Sequence, residues 1–314
     1  MKSIAIWYNK NNNNPNKVEQ VELHFNLWKV PISKNHFKRF IDIGIKLDRT
    51  DCIEKLNIYF PAKFDKENVA DIVRNFINDN DLVCAIFNEN YKTISQPNSK
   101  IFKIQNQDDE YLFDIYQLDE TDYAIQHKYN GTIINITPPH TNNKLYLRIR
   151  IDSVYCDSLI SIQKPSNSFI QSAFSKIELT DFRVNEVRDL DNSLLEEISR
   201  ECQLKISKGH FFYMISSNEE IINHHVPFIS CRNLEKNKWN KYVGDNSLSD
   251  NETILAYHWK VKDVSDFDIL IKSKFESNNW LTIGVYLLVL FLLTVFFNLT
   301  SSYLFDLLKQ TIKR

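Results

Sequence analysis

Glycine is scarce in this chain of 314 residues, which contains only five, a fraction of the usual share. A loop that wraps a phosphate needs glycines close together, because its backbone approaches the anion closely and often at positive φ. The sequence therefore excludes a P-loop, a dinucleotide-binding turn, a kinase-type glycine loop and a Gly-x-Ser-x-Gly nucleophile elbow. The five glycines are widely spaced, at Gly44, Gly131, Gly209, Gly244 and Gly284.

Paired cysteines and an excess of charge are also missing. The five cysteines are scattered, odd in number and never spaced as Cys-x-x-Cys, which argues against a zinc knuckle, a redox motif or a disulfide framework. A reducing compartment is therefore favoured. The net charge of −2 and the pI near 6.5 give no general attraction to duplex nucleic acid. We expect neither a cofactor nor a bound metal.

The longest apolar run lies near the C-terminal end, where residues 280–299 read WLTIGVYLLVLFLLTVFFNL without a charge. Twenty helical residues extend about 30 Å, the thickness of the hydrocarbon core of a bilayer. A buried helix of a soluble protein seldom runs this far without a charged residue. The run predicts one transmembrane helix, followed by a short amphipathic helix over 300–314. The alternative for 300–314 is continuation of the transmembrane helix.

The orientation of this span rests on the N-terminal segment. Its apolar run, Ile4 to Tyr8, is too short for the apolar core of a signal peptide. The basic residues on the two sides of the span are too evenly divided to decide the orientation. We expect a single-pass, tail-anchored membrane protein with its bulk in the cytoplasm.

One side of the predicted span carries its polar residues. At 100° per residue, Thr282, Tyr286, Thr294 and Asn298 fall on one side, opposite a purely apolar arc. Polar side chains in a span favour another helix or water over lipid. The pattern predicts helix packing in a homo-oligomer, with a pore as one form of it. The alternative is a single anchor, in which Thr and Tyr are ordinary.

Alternating apolar and polar residues dominate the region before the span. This period of two is typical of strands with one wet face. Helical periodicity predicts helices near 66–79 and after the capping box at 191–196. The first of these extends, after a break, through Leu82, Val83, Ile86 and Phe87 as an alternative. The fold class is therefore α+β: a mostly antiparallel, β-rich cytoplasmic region with a few helices, plus one C-terminal transmembrane helix. Strands are predicted at 41–47, 56–60, 100–104, 111–118, 123–128, 132–136, 144–152, 210–216 and 253–261.

The pattern of predicted strands and helices changes near residue 160, which suggests two soluble domains. The stretch SIQKPSNS at 161–168 is a plausible linker. We predict a β-rich domain over 1–160 and a smaller α+β domain over 161–275. Within the first domain, Asn130-Gly131 between alternating runs predicts a two-residue hairpin turn at positive φ.

Histidine patterns give little support for catalysis. His224 and His225 are adjacent, so they point to opposite sides of a strand, and a core or interface role is favoured. Two His-x-Lys pairs, His36/Lys38 and His258/Lys260, are similar to parts of phospholipase D-type sites but lack the acidic partner; alternation on an amphipathic strand explains them as well. We expect a protein that is not an enzyme. The alternative is a membrane-tethered enzyme with an unrecognised site, with His224 or His225 in it.

Two groups of basic residues are candidates for binding an anionic ligand. Arg148 and Arg150 share a strand face with Tyr146, which suits bidentate phosphate contact and base stacking. A second group follows at Lys176, Arg183 and Arg188. The alternative is that all of these form structural salt bridges, with Asp152, Glu178, Asp181, Glu186 and Asp189.

The layout of the whole chain, a β-rich domain without catalytic signature followed by the span at 280–299, resembles the single-span membrane effectors of bacterial anti-phage defence systems. The resemblance implies that the soluble domain senses a nucleotide or oligonucleotide and that the assembled helices disrupt the membrane. We therefore expect a ligand-sensing, oligomeric membrane effector. The alternatives are the membrane-tethered enzyme and a membrane-anchored scaffold.

Overall fold

A computed structural model describes residues 3–33, 36–95, 99–163, 175–244, 253–276 and 280–312. Most strand pairs in these ranges are antiparallel, and one long apolar helix follows them. The predicted α+β, β-rich fold class is therefore confirmed. The helices are α1 (Asn80–Phe87), α2 (Val154–Ser158), α3 (Asn192–Arg200), α4 (Lys236–Val243) and α5 (Trp280–Ile312). The strands are β1 (Ala5–Lys10), β2 (Val21–Ser33), β3 (His36–Leu47), β4 (Ile53–Phe60), β5 (Val69–Asp71), β6 (Lys92–Ser95), β7 (Ile101–Gln105), β8 (Tyr111–Tyr116), β9 (Tyr123–Lys128), β10 (Gly131–Ile136), β11 (Leu145–Ile151), β12 (Ile160–Gln163), β13 (Ser175–Val184), β14 (Cys202–Gln203), β15 (Ile206–Ser216), β16 (Glu219–His224), β17 (Ser230–Asn233), β18 (Ile254–Val264) and β19 (Phe267–Glu276).

The described strands form three sheets. The central sheet has ten strands in the order β17-β18-β15-β2-β3-β11-β8-β7-β6, with β5 also paired to β11. A five-stranded sheet has the order β14-β1-β4-β10-β9, and a four-stranded sheet the order β12-β13-β19-β16. One continuous apolar core joins residues of all three sheets, so the two smaller sheets cover one face of the central sheet. The other face packs against α1 and α4 in a second core.

Strand β2 shows how the sequence sets these two faces. Its odd residues, among them Leu23 and Phe25, are fully buried in the core that the three sheets share. Its even residues point to the opposite face because side chains alternate along a strand; Trp28 there packs in the core beneath α1 and α4. The same face of β2 carries Glu22 and His24.

Strands from both sides of residue 160 share two of the sheets. Strand β15 pairs in parallel with β2 from Ile206 to Met214, and β14 pairs with β1. The division into 1–160 and 161–275 stays a prediction about folding units. Residues 164–168 of its proposed linker lie outside the described residues.

The α-helix predicted near 66–79 is wrong. Residues Lys66–Asn68 and Val73–Asn75 form 3₁₀ turns on either side of β5, which pairs with β11. Pairing with a distant strand overrides the local helical period in this segment. The α-helix begins later, where the side chain of Asp79 accepts a hydrogen bond from the amide of Leu82.

The predicted hairpin between β9 and β10 is present, but its turn lies one residue earlier. Tyr129 and Asn130 have positive φ, 55° and 56°, and Lys128 pairs with Gly131. Gly131 is instead the first residue of β10, where a Cβ atom would lie 2.2 Å from the carbonyl oxygen of Phe60. This glycine is needed for close approach rather than for positive φ.

The C-terminal helix α5 is continuous through Ile312, so the described part of 300–314 extends the span instead of forming a separate helix. Its segment Ile283–Phe305 has a mean hydropathy of 2.3 and is not buried by the rest of the chain. Twenty-three residues extend about 35 Å along a helix. By length and composition, this helix is able to cross a membrane.

Candidate functional site

A cavity of about 370 Å³ opens on the helix-covered face of the central sheet. Its floor is formed by side chains of β2, β3, β15 and β18, and the C-terminal end of α1 forms a wall. We call it the histidine cavity. It is lined by Glu22, His24, Lys46, Ala85, Ile86, Phe87, Asn88, Glu89, Tyr91, Lys208, His210, Phe212, Ser230, Arg232, His258 and Lys260.

Strand register brings the three histidines of this cavity together from distant parts of the chain. His24 on β2 lies opposite His210 on β15. On the next strand, His258 and Lys260 lie opposite Phe212 and His210. Neighbouring positions on one sheet face are close enough for side-chain contact, so the parallel pairing of β2 with β15 creates the cluster.

The histidines contact one another and remain uncharged at neutral pH. Nδ1 of His210 lies 2.9 Å from Nε2 of His258, so the N–H of one imidazole donates a hydrogen bond to the bare nitrogen of the other. Burial and the nearby Lys260 lower the pKa of His210 to about 4. Burial, His210 and Lys260 lower the pKa of His258 to about 4. Burial, His210 and Arg148 hold the pKa of His24 well below its usual value. The ring of Phe212 stacks on His258 with 4.1 Å between centroids.

Basic residues outnumber acidic residues in the lining. Lys46, Lys208, Arg232 and Lys260 face Glu22 and Glu89. Glu22 lies 2.8 Å from the ammonium of Lys208 and 3.8 Å from that of Lys46. Although burial opposes it, these lysines lower the pKa of Glu22. Lys260 forms no ion pair within the described ranges, so the cavity has positive charge left to bind an anion.

Neither Arg148 nor Arg150 lines the histidine cavity, and Arg150 lines a second cavity instead. Arg148 is 1% exposed, and its Nη1 donates to the hydroxyl of Tyr146 at 2.9 Å. No carboxylate of the described residues forms an ion pair with Arg148. Arg150 pairs with Asp42 at 2.7 Å and donates to the carbonyl of Val243. Their strand face is thus buried, and the unneutralised charge of Arg148 makes the cavity more positive.

Gly44, which has no side chain, leaves the space that the Tyr146 ring occupies. A Cβ atom on Gly44 would lie 2.2 Å from the Tyr146 hydroxyl oxygen. The fully buried Tyr146 ring therefore packs over Gly44 and holds its hydroxyl against Arg148. This is the close contact that a glycine inside a strand often marks.

The second predicted basic group lies elsewhere, in and after β13 of the four-stranded sheet. Arg183 pairs with Asp181 and Asp189, and the exposed Arg188 pairs with Glu186. These ion pairs match the salt-bridge alternative. Lys176 lies opposite Phe275 in the sheet.

The structure does not bring these three residues together with Arg148 and Arg150, and a ligand role for the five stays a prediction. Asp152 and Glu178, the other two acidic residues proposed as salt-bridge partners, do not pair with any of these five basic residues. Asp152 pairs with Lys38, and Glu178 pairs with Lys29 and Arg39.

The remaining histidines form no comparable cluster. His224 packs against Phe228, and Nε2 of His225 lies 3.9 Å from Asp268. Of the two His-x-Lys pairs, His258/Lys260 lines the cavity, whereas His36 lies at the opposite end of β3 from Lys46. Across the described ranges, no group of three or more His, Cys, Asp or Glu side chains is arranged to hold a metal ion.

A second cavity, of about 510 Å³, is lined by Asp71, Arg74, Tyr123 and Arg150 among others. Burial raises the pKa of Asp71 to about 6, although its carboxylate accepts hydrogen bonds from the amides of Leu118 and Arg74. The charges of this lining are mixed, so it favours no class of ligand.

The polar residues of the span lie on one continuous helix. The hydroxyl of Thr294 donates to the carbonyl of Leu290 within the helix at 2.8 Å, and Asn298 is exposed. Tyr286 is partly exposed, and the side chain of Thr282 lies outside the described residues. Their role in helix packing or a pore stays a prediction.

Sequence reasoning missed most of the cavity because it did not identify β2. The signal was present: Val21, Leu23, Phe25 and Leu27 alternate with polar and aromatic residues. A scan against protein-family models finds no match for this chain, and no curated protein matches it.

Proposed function

We propose that this protein is a tail-anchored, single-pass membrane effector whose cytoplasmic β-rich domain senses an anionic ligand, a nucleotide or oligonucleotide, in the histidine cavity. The observation that carries this proposal is the basic excess of the cavity in a chain that also has a helix able to cross a membrane. Lysine and arginine contact phosphate, and aromatic rings offer surfaces on which bases stack.

The protonation state of the cavity supports an anion as ligand. A ligand phosphate placed near His210 and His258 would raise their pKa values, because an opposite charge favours the charged imidazole. Binding would then take up protons and become tighter as the pH falls from about 7 towards 5. The buried charge of Arg148 adds to the attraction without contacting the ligand.

Strand β2 provides a physical path from the cavity to the span. Near its beginning it carries His24, and five residues further on Lys29, whose ammonium lies 2.6 Å from Glu178 and 2.7 Å from Glu219. These glutamates belong to the sheet whose strand β19 leads towards α5. A ligand that favours one packing of the β-rich domain would shift its population, and the attached helices would follow.

The proposed output is assembly of the spans in a homo-oligomer that opens a pore or disrupts the membrane. Polar residues on one side of the span, Thr282, Tyr286, Thr294 and Asn298, would face each other or water. The resemblance in layout to single-span anti-phage effectors suggests phage defence as the setting.

Ligand binding is tested with the full-length protein in detergent, using pyrophosphate, ATP and a short RNA oligonucleotide as probes. Lys260→Ala should weaken binding by about 10-fold, the effect of losing one charge-assisted contact. The matched control is Lys262→Ala, an exposed residue on the same strand outside the cavity. Equal effects of the two substitutions would show that the cavity is not the binding site.

Pore formation is tested by dye leakage from vesicles that contain the full-length protein. The probe that binds should increase leakage, and Thr294→Leu with Asn298→Leu should reduce it while binding is unchanged. Leakage that is insensitive both to the probe and to this double substitution would contradict the pore.

A second function is favoured by the His210–His258 contact. Two imidazoles beside Lys260 are groups that general acid–base cleavage of a phosphodiester uses. A membrane-tethered enzyme would convert the RNA probe to products, and His210→Asn would abolish turnover while leaving the probe bound. A probe recovered unchanged after long incubation would favour the sensor over the enzyme.

A further inference from the structure

Glu22 lies between two of the lysines that line the histidine cavity. Its register partners on the neighbouring strands are Lys46 of β3 and Lys208 of β15, so the three side chains leave the sheet side by side on one face. Oε1 of Glu22 lies 2.8 Å from the ammonium of Lys208, and Oε2 lies 3.8 Å from that of Lys46. One carboxylate therefore divides a single negative charge between two ammonium groups.

A third lysine lies close to this group. Lys260 on β18 lies opposite His210 and is the diagonal neighbour of Lys208, a spacing of about 7–8 Å. All of these side chains line the same cavity. The side chain of Glu22 is 24% exposed and that of Lys208 is 46% exposed, so solvent reaches both. An anion that enters the cavity therefore meets three ammonium groups, with Glu22 already between two of them.

The charge of Glu22 decides which anions gain by taking its place. A phosphodiester carries one negative charge, as the carboxylate does, so it offers Lys46 and Lys208 no more charge than Glu22 already gives. A phosphomonoester carries about 1.5 to 2 negative charges near pH 7 and has three strong acceptor oxygens. Such a group has enough charge and enough acceptors for Lys46, Lys208 and Lys260 together.

We propose that Glu22 is a built-in competitor of the ligand and restricts the histidine cavity to ligands with a terminal phosphomonoester, such as a nucleoside 5′-phosphate. The inference rests on the proposed function, in which this cavity binds a nucleotide or oligonucleotide. In the free protein Glu22 occupies the position between Lys46 and Lys208, and the ligand phosphate displaces it. Only molecules in which these lysines are released bind the ligand, so the measured affinity is reduced by that fraction.

The first experiment compares two probes by calorimetric titration of the full-length protein in mild detergent. Adenosine 5′-monophosphate and 3′,5′-cyclic AMP share the base and the sugar, and they differ in having a phosphomonoester or a phosphodiester. The protein should bind the monoester at least about 10-fold more tightly, the effect of one additional charge-assisted contact. Equal affinities for the two probes overturn the proposed restriction.

The second experiment removes the competing charge. Glu22→Gln keeps the size of the side chain and should tighten the binding of both probes by about 10- to 100-fold, because Lys46 and Lys208 no longer have to be released. The matched control is Glu89→Gln, which removes one negative charge from an exposed residue of the same lining. This control should change either affinity by less than about threefold.

The outcomes separate the inference from the proposed function. If the parent binds a probe and Glu22→Gln binds it equally or more weakly, the inference is overturned and the cavity remains the binding site, because Glu22 then orients the lysines instead of competing with the ligand. Equal tightening by Glu22→Gln and Glu89→Gln also overturns it, since a general change of charge explains that result. If neither the parent nor Glu22→Gln binds either probe, the proposed function and the inference fail together.

Discussion

The sharpest test of the packing between the central and four-stranded sheets is Lys29→Met. The side chain of Lys29 is 0% exposed, and those of its partners Glu178 and Glu219 are 2% and 1% exposed. Methionine keeps the apolar stem but leaves two buried carboxylates without their cation. Removing one partner of a buried ion pair costs about 3–5 kcal/mol, a large share of the roughly 5–15 kcal/mol that stabilises a typical domain.

The assay is urea unfolding of the full-length protein in mild detergent, followed by tryptophan fluorescence. The control is Lys38→Met on the neighbouring strand, whose ion pair with Asp152 is about half exposed and should contribute less than about 1 kcal/mol.

A triple variant, Lys29→Met with Glu178→Gln and Glu219→Gln, should recover most of the loss. It removes the uncompensated charges, and the amide oxygen at 219 can still accept the hydrogen bond from Ser273. A loss below about 1 kcal/mol for Lys29→Met, or a triple variant no more stable than the single one, would refute the reasoning.

Three further predictions concern single residues and are measured by the same unfolding assay. Burial raises the pKa of Asp71 to about 6, so the folded state binds this proton more tightly than the unfolded state, and stability is lost as the pH rises through 6. Asp71→Asn should therefore be more stable than the parent by up to about 3 kcal/mol near pH 8 and lose this advantage near pH 4; no advantage near pH 8 would contradict the buried carboxylate. The pKa of His258 is lowered to about 4, so the unfolded state binds its proton more tightly, and stability falls as the pH drops from about 6.5 to 4. His258→Gln should reduce this fall by about 1–3 kcal/mol, and an unchanged pH profile would argue against a neutral imidazole. Gly44→Ala should cost about 1–3 kcal/mol, because the added Cβ meets the buried Tyr146 hydroxyl; a neutral effect would show that Tyr146 moves freely.

The strand pattern was largely predictable because alternation is local. The strands β3, β11, β15 and β18 follow this alternation. The helix α3 was predictable from a different local signal, its cap at Asp191 and its helical period. Alternation shows that the two faces of a strand differ in polarity. It does not show which face is exposed to solvent. The face of β11 that carries Arg148 and Arg150 looked polar, yet α4 covers it: Arg150 donates to the Val243 carbonyl at the end of that helix.

The cavity was not predictable from local patterns. His24, His210 and His258 come from three strands, and their proximity depends on the register of one parallel and one antiparallel pair. A shift of that register by one residue would turn one of these histidines to the opposite face of the sheet. The His-x-Lys spacing in β18 identified His258 and Lys260, which line one side of the cavity. A single sequence does not reveal which strands pair with β18.

The parallel pairing of β2 with β15 also governs when the domain can be completed during synthesis. The hydroxyl of Ser207 donates to the carbonyl of Val21, 186 positions earlier. At about 5–20 residues per second, roughly 10–40 s pass between the synthesis of these two residues. Throughout that interval one edge of β2 is open to any other strand, and such edges promote aggregation. A growing chain therefore completes the histidine cavity late, when β15 and β18 close the edge of β2, and chains that end before β15 lack this cavity.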